Sequence, residues 1–174
     1  MLILPFVLAA ATTALPPRVS AYHSHGHTLV YQTYGSGKSP WILLAGGPGY
    51  EPRYVAPLAG MLASSTRRIV VLNQRGTGLS KSAAADSLQL TVDGEVADLE
   101  ALRGALHLSS LHLIGHSWGG YLAMAYAAQH PERVAAMVLL DPLGDDPRSW
   151  LPVTDEMMAA LTPAERHDAR IACT

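Results

Sequence analysis

One short segment, residues 111–120 with the sequence LHLIGHSWGG, contains residue types and a spacing that could perform chemistry. It holds the pattern Gly-x-Ser-x-Gly, which indicates a reactive serine when a strand precedes the pattern and a helix follows it. The apolar residues 111–114 predict the strand, and the alanine-rich run 121–129 predicts the helix. The two glycines permit a sharp turn, because a Cβ at either position would clash. We therefore expect Ser117 in a strained conformation, with its hydroxyl projecting from the end of a sheet.

The position of Ser117 would favour negative charge that develops near its hydroxyl. A serine on this turn lies at the N-terminus of the following helix, where backbone N–H groups and the helix dipole attract anions. The hydroxyl becomes a nucleophile when a general base takes its proton and a third group orients that base. The simpler interpretation is a glycine-rich turn with an incidental serine, so the elements around the turn decide between the two.

Several short apolar runs have the length and composition of strands that are buried on both faces of a sheet. These runs and the turns that follow them are residues 41–45 before GGPG, 68–72 before NQRGTGLS, 111–114 before GHSWGG, and 134–140 before Asp141 and Pro142. Strands that alternate with helices in this way predict an α/β protein with a mostly parallel sheet and helices on both faces. The carboxyl ends of its strands would gather the glycine-rich loops at one edge.

The remaining segments predict the elements around this sheet. Residues 22–34 are extended, with β-branched and aromatic side chains. Residues 52–64 suit a helix, although a proline within them implies a break or a late start. Thr91 is a candidate N-cap for an amphipathic helix that has Glu95 in its first turn. Residues 82–90 are expected to form a loop.

Length and composition are those of one globular domain. The chain has 174 residues, of which 49% are hydrophobic and 15% are charged, enough for a sizeable core. The net charge of −2 and the lack of a basic run argue against nucleic acid as a partner. Cys173 is the single cysteine, so it forms no intrachain disulfide and gives no guide to the compartment.

The N-terminal segment predicts a secretory signal. Residues 1–15 are almost entirely apolar or small, and they are too few for a stable membrane span. Val19, Ser20 and Ala21 have the small-x-small character of a signal-peptidase site. We expect residues 1–21 to be this signal, which favours a secreted or periplasmic location over a cytoplasmic one. The alternative is an apolar extension from a start codon assigned too early, because no Lys or Arg precedes the apolar run and a proline interrupts it.

Over residues 27–141 the segments AGGPG, NQRGTGLS and GHSWGG together resemble the α/β-hydrolase fold. Within that fold they resemble the proline iminopeptidase (prolyl aminopeptidase) group of serine peptidases. The resemblance implies that Ser117 is the nucleophile and that the backbone N–H groups of Trp118 and Gly47 stabilise the oxyanion. It also implies an acyl-enzyme, small peptide or ester substrates, an N-terminal residue (often proline) as the group removed, and neither a metal nor an organic cofactor.

The sequence departs from this family at two positions beside the motifs. Ala45 stands where the family usually has His before GGPG, and Asn73 stands where Asp is usual before QRG. Neither position is catalytic in the family, so both departures are compatible with the resemblance.

The acid and the base of a catalytic triad are not found in the chain. In the resembled fold they follow the nucleophile in the order acid and then His, on loops after further strands. We therefore expect residues 22–143 to be the N-terminal part of the hydrolase core, incomplete at the C-terminal strands. Residues 144–174 would be the start of the cap region. Asp141 is the remaining candidate acid, although a strand-ending turn is the simpler interpretation, and His167 is expected on the surface.

Two alternatives to a peptidase stay open on these grounds. The chain could be a catalytically inactive fragment or binding remnant, or a general α/β-hydrolase esterase. Without further strands, the apolar strand 134–140 would also form a sheet edge, and such edges invite pairing with another chain. We therefore expect self-association through this edge.

Four histidines lie near these elements without an expected catalytic role. His23, His25 and His27 alternate, so on one strand they would share a face that could bind Zn or Cu. No carboxylate or Cys lies near them in the sequence, and we expect no metal site. His116 should pack or hydrogen-bond at the serine turn, with its ring directed away from the nucleophile.

Overall fold

A six-stranded sheet forms the centre of the computed structural model, which describes residues 16–85 and 91–144. In chain order the strands are β1 Arg18–Ser24, β2 His27–Tyr34, β3 Trp41–Leu44, β4 Ile69–Asn73, β5 Leu111–His116 and β6 Val134–Leu140. Across the sheet they lie in the order β1-β2-β4-β3-β5-β6. The apolar segment 1–15, residues 145–174 of the expected cap region 144–174, His167 and Cys173 lie outside the described residues.

Helices and short 3₁₀ segments connect the strands in the described chain. The helices are α1 Ala56–Leu62, α2 Val92–Ala105 and α3 Trp118–Gln129, and the 3₁₀ segments are Pro52–Val55, Gly78–Ala85 and Pro131–Arg133. The late start expected from Pro57 is confirmed, since this proline occupies the first turn of α1. Thr91 is confirmed as the N-cap of α2, because its Oγ1 accepts a hydrogen bond from the Gly94 N–H at 3.0 Å.

The sheet is mostly parallel, as the alternation of strands and helices predicts. Strands β4, β3, β5 and β6 run parallel to one another, whereas β1 and β2 add an antiparallel hairpin beside β4. The carboxyl ends of the four parallel strands therefore meet at one edge. The loops that begin with Ala45, Gln74, Ser117 and Asp141 all start there.

Helices cover both faces of the sheet, because side chains alternate along each buried strand. Ile42 and Leu44 of β3 face one cluster, whose helical side is formed by Leu99 of α2 and Leu122 of α3. Leu43, between them in the chain, faces a second cluster with Val55 and Ala59 on the side of α1. Each of these strand residues is fully buried, so truncating one to Ala would cost roughly 2–5 kcal/mol.

Residues 22–34 form a hairpin and not one extended segment. The hairpin turns at His25 and Gly26, which have φ values of 45° and 82°. A two-residue turn with both φ values positive matches the twist of the flanking strands. His23 pairs with Thr28, and His27 pairs with Ser24. His23 and His27 therefore lie on opposite faces, so the shared histidine face expected from the sequence was wrong. No cluster of three or more His, Cys, Asp or Glu that could hold a metal is found in the described ranges.

The predicted signal-peptidase site lies inside β1. Val19, Ser20 and Ala21 pair with Gln32, Tyr31 and Val30 of β2. Cleavage after Ala21 would remove the first half of a strand that pairs along its whole length, so a mature N-terminus at that point stays a prediction.

Strand β6 occupies the edge of the described sheet. It pairs with β5 on one side, and Met137 and Val138 remain 37% and 41% exposed. The continuous apolar run predicted a strand, which is confirmed, but burial on both faces is not found in the part of the chain that the structure describes. None of the helices in the described part is both long enough and apolar enough to span a membrane.

The segment after β4 forms a 3₁₀ turn where the sequence predicted a loop beginning at residue 82. Gly78–Ala85 takes this form, and Ser80 anchors its start. The Ser80 hydroxyl donates to the Asn73 carbonyl at 2.8 Å and accepts from the Val30 N–H at 2.9 Å. Side chain to backbone bonds of this kind stabilise tight turns, so the NQRGTGLS segment is fastened to both β4 and β2.

Candidate active site

Ser117 sits on a strained turn between β5 and α3. Its φ of 52° and ψ of −119° are unusual for a residue with a Cβ. The Ser117 N–H donates to the Leu140 carbonyl at 3.0 Å, and the Ser117 carbonyl accepts from the N–H groups of Gly120 at 2.9 Å and Leu143 at 3.2 Å. These bonds hold the strained conformation in place. The expectation of a sharp strand-to-helix turn at this serine is thereby met.

The glycines of the turn are required by close backbone approach. A Cβ on Gly115 would lie 2.3 Å from the Gly119 carbonyl oxygen, and a Cβ on Gly119 would lie 2.4 Å from the Leu44 carbonyl oxygen. Both distances are far below van der Waals contact. The predicted clash is therefore confirmed, and the contact with Leu44 packs the start of α3 onto the end of β3.

The GGPG loop after β3 lies directly against the serine turn. A Cβ placed on Gly46 would come within 3.1 Å of the Ser117 Cβ and within 3.2 Å of His116 Nδ1. Gly47 follows with a φ of 134°, a conformation that favours glycine. Trp118 is the first residue of α3, and N–H groups in a first helical turn have no acceptor within the helix. The structure thus brings the loop of Gly47 together with the turn that carries Trp118.

Tyr54 is a polar neighbour of this site that the sequence interpretation missed. Its hydroxyl accepts a hydrogen bond from the Gly46 N–H and lies 2.8 Å from His116 Nδ1. A phenol oxygen that accepts from Gly46 can still either donate to Nδ1 or accept from it, so the tautomer of His116 sets the direction of this second bond. Partial burial raises the pKa of the Tyr54 hydroxyl, so it stays protonated. The two rings also meet edge to face, with centroids 5.6 Å apart.

His116 therefore hydrogen-bonds at the turn, as expected. No hydrogen bond joins it to Ser117, and the Ser117 hydroxyl has no hydrogen-bond partner within residues 16–85 and 91–144. Asp141 follows β6 with a φ of 46° and is exposed. Its carboxylate makes no hydrogen bond to a histidine among the described residues, so it remains a prediction as the acid.

A buried ion pair fastens the loop after β4 to α2. Arg75 donates from Nε to Asp98 Oδ2 at 3.0 Å and from Nη2 to Oδ1 at 2.6 Å. The two side chains are 1% and 3% exposed. Ser24 Oγ also donates to Asp98 Oδ1 at 2.5 Å, and the Tyr22 hydroxyl donates to the Asp98 carbonyl at 3.2 Å. Either charge would be costly to bury alone. The bidentate pairing of Arg75 with Asp98 and the additional hydrogen bond from Ser24 compensate for this cost.

Glu95 joins the same helix to the residue after the serine. Its side chain is buried, and Oε2 accepts from Trp118 Nε1 at 3.3 Å and from Gln74 Nε2 at 3.5 Å. Burial raises the pKa of Glu95 to about 7; the hydrogen bond from Trp118 lowers it, the charge of Asp98 raises it and the charge of Arg75 lowers it. The first-turn position of Glu95 is confirmed, but the side chain lies in the interior and not at the surface.

A signal for these acids was present in the sequence. Glu95 and Asp98 share the helical face of Leu99 and Leu102, at spacings of three, four and seven residues from Glu95. Acidic residues in the register of an apolar face predict a buried polar contact. The sequence interpretation used only the position of Glu95 in the first turn of the helix and did not consider Asp98.

Asn73 shows what its departure from the usual Asp changes. Its Oδ1 accepts from the Leu79 N–H at 3.0 Å, which a carboxylate could also do. Its Nδ2 is buried, with no hydrogen-bond partner in the described part of the chain. The Asn73 amide thus keeps the oxygen that accepts the Leu79 N–H and closes the turn. It also adds an NH₂ donor that has no hydrogen-bond acceptor among the described residues.

Comparisons with known proteins agree with this geometry. A family profile described as "alpha/beta hydrolase fold" matches residues 40–173. The chain is similar to the proline iminopeptidase of Lactiplantibacillus plantarum, at 33% identity over 146 residues that cover 82% of this chain and 50% of that protein. It is 38% identical over 117 residues to the proline iminopeptidase of Lactobacillus helveticus, covering 66% of this chain and 40% of that protein.

A solved structure shows the same likeness in three dimensions. The proline iminopeptidase-related protein from Thermus thermophilus superimposes with a TM-score of 0.69 at 26% identity, over 84% of this chain and 51% of that one. The chain thus spans about half the length of the relatives it matches.

Proposed function

The chain belongs to the α/β-hydrolase family, and on this premise we propose that it is a serine hydrolase with Ser117 as its nucleophile. We propose further that it removes an N-terminal residue, often proline, from small peptides. The observation that carries the proposal is the strained conformation of Ser117 at the strand-to-helix turn, with the GGPG loop beside it. The similarity to proteins named proline iminopeptidase supports the choice of substrate.

The proposed reaction proceeds through an acyl-enzyme. Ser117 Oγ attacks the scissile carbonyl while a histidine base takes its proton, and that proton then passes to the leaving amine. Water hydrolyses the ester in the second half of the cycle. The backbone N–H groups of Trp118 and Gly47 would stabilise the oxyanion, each by a few kcal/mol. This assignment is supported by the parallel pairing of β3 with β5, since the Gly47 loop and the helix N-terminus at Trp118 both follow the carboxyl ends of these strands.

The test is hydrolysis of a proline arylamide by the full product of the gene. We expect release of the arylamine, and we expect Ser117→Ala to abolish it while the melting temperature stays close to that of the parent. Cleavage of acyl esters without cleavage of the arylamide would replace the peptidase with the esterase alternative.

A second candidate is a catalytically inactive chain. It is favoured by one observation, that the Ser117 hydroxyl has no hydrogen-bond partner among the described residues. A fluorophosphonate probe distinguishes the two candidates, because it reacts only with an activated serine. Labelling that disappears in Ser117→Ala supports the hydrolase, whereas absence of labelling under all conditions supports the inactive chain.

A further inference from the structure

A buried contact connects the side chain of Trp118 to an acid that the proposed reaction does not use. Trp118 Nε1 donates to Glu95 Oε2 at 3.3 Å, and both residues are 8% exposed. Trp118 follows the proposed nucleophile directly and is the first residue of α3. The hydrogen bond from its indole therefore connects the start of α3 to α2. Glu95 lies on α2, 23 residues earlier in the chain.

Glu95 has a second, weaker contact with the side chain of Gln74, whose amide lacks one of its hydrogen-bond partners. Gln74 Nε2 lies 3.5 Å from the same Oε2, at the limit of a hydrogen bond. Gln74 Oε1 is buried and has no hydrogen-bond partner within the described ranges. A neutral Glu95 carries an O–H donor, and that donor would satisfy Gln74 Oε1 once the amide turns over. The Glu95 carboxylate can therefore accept from Trp118, and the neutral Glu95 can donate to Gln74.

The charged and titratable groups around Glu95 come from α2 itself and from two neighbouring elements. Asp98 lies one turn later on α2, Arg75 lies in the loop after β4 and pairs with Asp98, and Tyr22 of β1 donates to the Asp98 carbonyl. Desolvation has the largest influence on Glu95 and raises its pKa to about 7. The hydrogen bond from Trp118 and the charge of Arg75 lower this pKa, whereas the charge of Asp98 raises it. The acid thus changes its charge within the working range of most enzymes.

We propose that Glu95 is a positioning residue for the nucleophile turn, which holds the indole of Trp118 more firmly as a carboxylate than as a neutral acid. The proposal rests on the proposed function, since it matters for catalysis only if the backbone N–H of Trp118 faces the oxyanion. A carboxylate accepts a stronger, charge-assisted bond from Nε1. Protonation weakens that bond and draws the carboxyl group toward Gln74. The start of α3 is then less firmly fixed beside Ser117.

The direct test follows the indole N–H of Trp118 by nitrogen-15 NMR between pH 5 and pH 9, with the resonance assigned by Trp118→Phe. We expect it to move with a midpoint near pH 7 in the parent and to stay constant in Glu95→Gln, which keeps the shape of the neutral acid. The resonance of Trp41, which lies on β3 and is the internal control, should show the same pH dependence in both proteins. A Trp118 indole resonance that does not move with pH, or that moves equally in the parent and in Glu95→Gln, overturns the proposal.

The catalytic half of the proposal is tested by fluorophosphonate labelling of Ser117. We expect the ratio of the labelling rate at pH 8 to that at pH 6 to be about five-fold larger in the parent than in Glu95→Gln. Trp118→Phe keeps the backbone N–H but removes the donor, so it should reduce the ratio as Glu95→Gln does, and the double variant should reduce it no further. Equal ratios in parent and Glu95→Gln overturn the proposal. No labelling in any protein overturns the proposed function instead, and the indole titration then decides the role of Glu95 by itself.

Discussion

The hydroxyl of Tyr54 lies 2.8 Å from Nδ1 of His116, the residue directly before Ser117. The same oxygen accepts the N–H of Gly46, the residue directly before the expected oxyanion donor Gly47. One phenol therefore ties the GGPG loop to the serine turn. We expect these two contacts of Tyr54 to fix the distance between the GGPG loop and the turn that carries Ser117.

Replacing Tyr54 with Phe removes the tie but keeps the ring. We expect the fluorophosphonate labelling of Ser117 to slow about five-fold, because a typical hydrogen bond contributes about 1 kcal/mol. Tyr50→Phe is the matched control, since Tyr50 directly follows the GGPG segment and is 59% exposed. Equal labelling rates in the two variants would show that Tyr54 does not hold the loop.

Two glycine substitutions should change stability in opposite directions. Gly119→Ala places a Cβ 2.4 Å from the Leu44 carbonyl oxygen, and we expect a loss of about 1–3 kcal/mol from such overpacking. Gly104→Ala lies in a helix with no atom within 4 Å of the new Cβ, and we expect a gain of up to about 1 kcal/mol from helix propensity. Thermal or urea unfolding measures both. A neutral Gly119→Ala would mean that the helix start can shift away from β3.

Glu95 should make stability depend on pH. Its pKa is near 4.5 when exposed and about 7 when folded, so the folded state holds the proton more tightly. The free energy of unfolding therefore falls as the pH rises from about 4.5 to about 7, by roughly 3 kcal/mol. Glu95→Gln should lack this component and should be more stable than the parent at pH 8. Urea unfolding at several pH values gives the difference, and parallel pH curves for the two proteins would contradict the expectation.

The Arg75–Asp98 pair should be much more sensitive than a surface pair. Asp98→Asn leaves the Arg75 charge buried beside an uncharged partner, and we expect a loss of about 3–5 kcal/mol. Glu132→Gln breaks the exposed contact with Arg133, whose two side chains are 65% and 36% exposed, and it should cost less than about 1 kcal/mol. Chemical unfolding compares them. Similar losses in both variants would mean that the interior does not penalise a guanidinium that has lost its carboxylate partner.

The apolar edge of the sheet should promote self-association. We expect the chain to form oligomers and expect Val138→Lys to shift them toward monomer, because a charge on an edge strand opposes pairing. Met61→Lys is the control, since Met61 is 83% exposed on α1 and away from the edge. Sedimentation velocity resolves the species. A monodisperse monomer with cooperative melting in the parent would contradict the prediction.

The architecture followed from local patterns, because the strands that carry the glycine-rich loops are short, apolar and punctuated by turns. The turn at Ser117 was predictable since Gly115 and Gly119 leave few other conformations for that backbone. Tyr54 was not predictable, because its contact with His116 joins residues 62 positions apart. The hairpin at His25 was missed because a turn without an Asn-Gly or Asp-Gly pair carries a weak signal. The burial of Glu95 was indicated by its register with Leu99 and Leu102, but its contact with Trp118 joins two helices, which only the tertiary structure shows.

The hydrogen bond from the Ser117 amide to the Leu140 carbonyl has a consequence for local opening. Leu140 is the last residue of a strand that has one neighbour within the described sheet, and edge strands of this kind exchange their amide protons through small, frequent openings. Each such opening would release the amide of Ser117. The conformation of the serine turn is therefore coupled to the protection of the adjacent strand β6, and substitutions along β6 should alter the proposed reactivity of Ser117 without contacting the substrate.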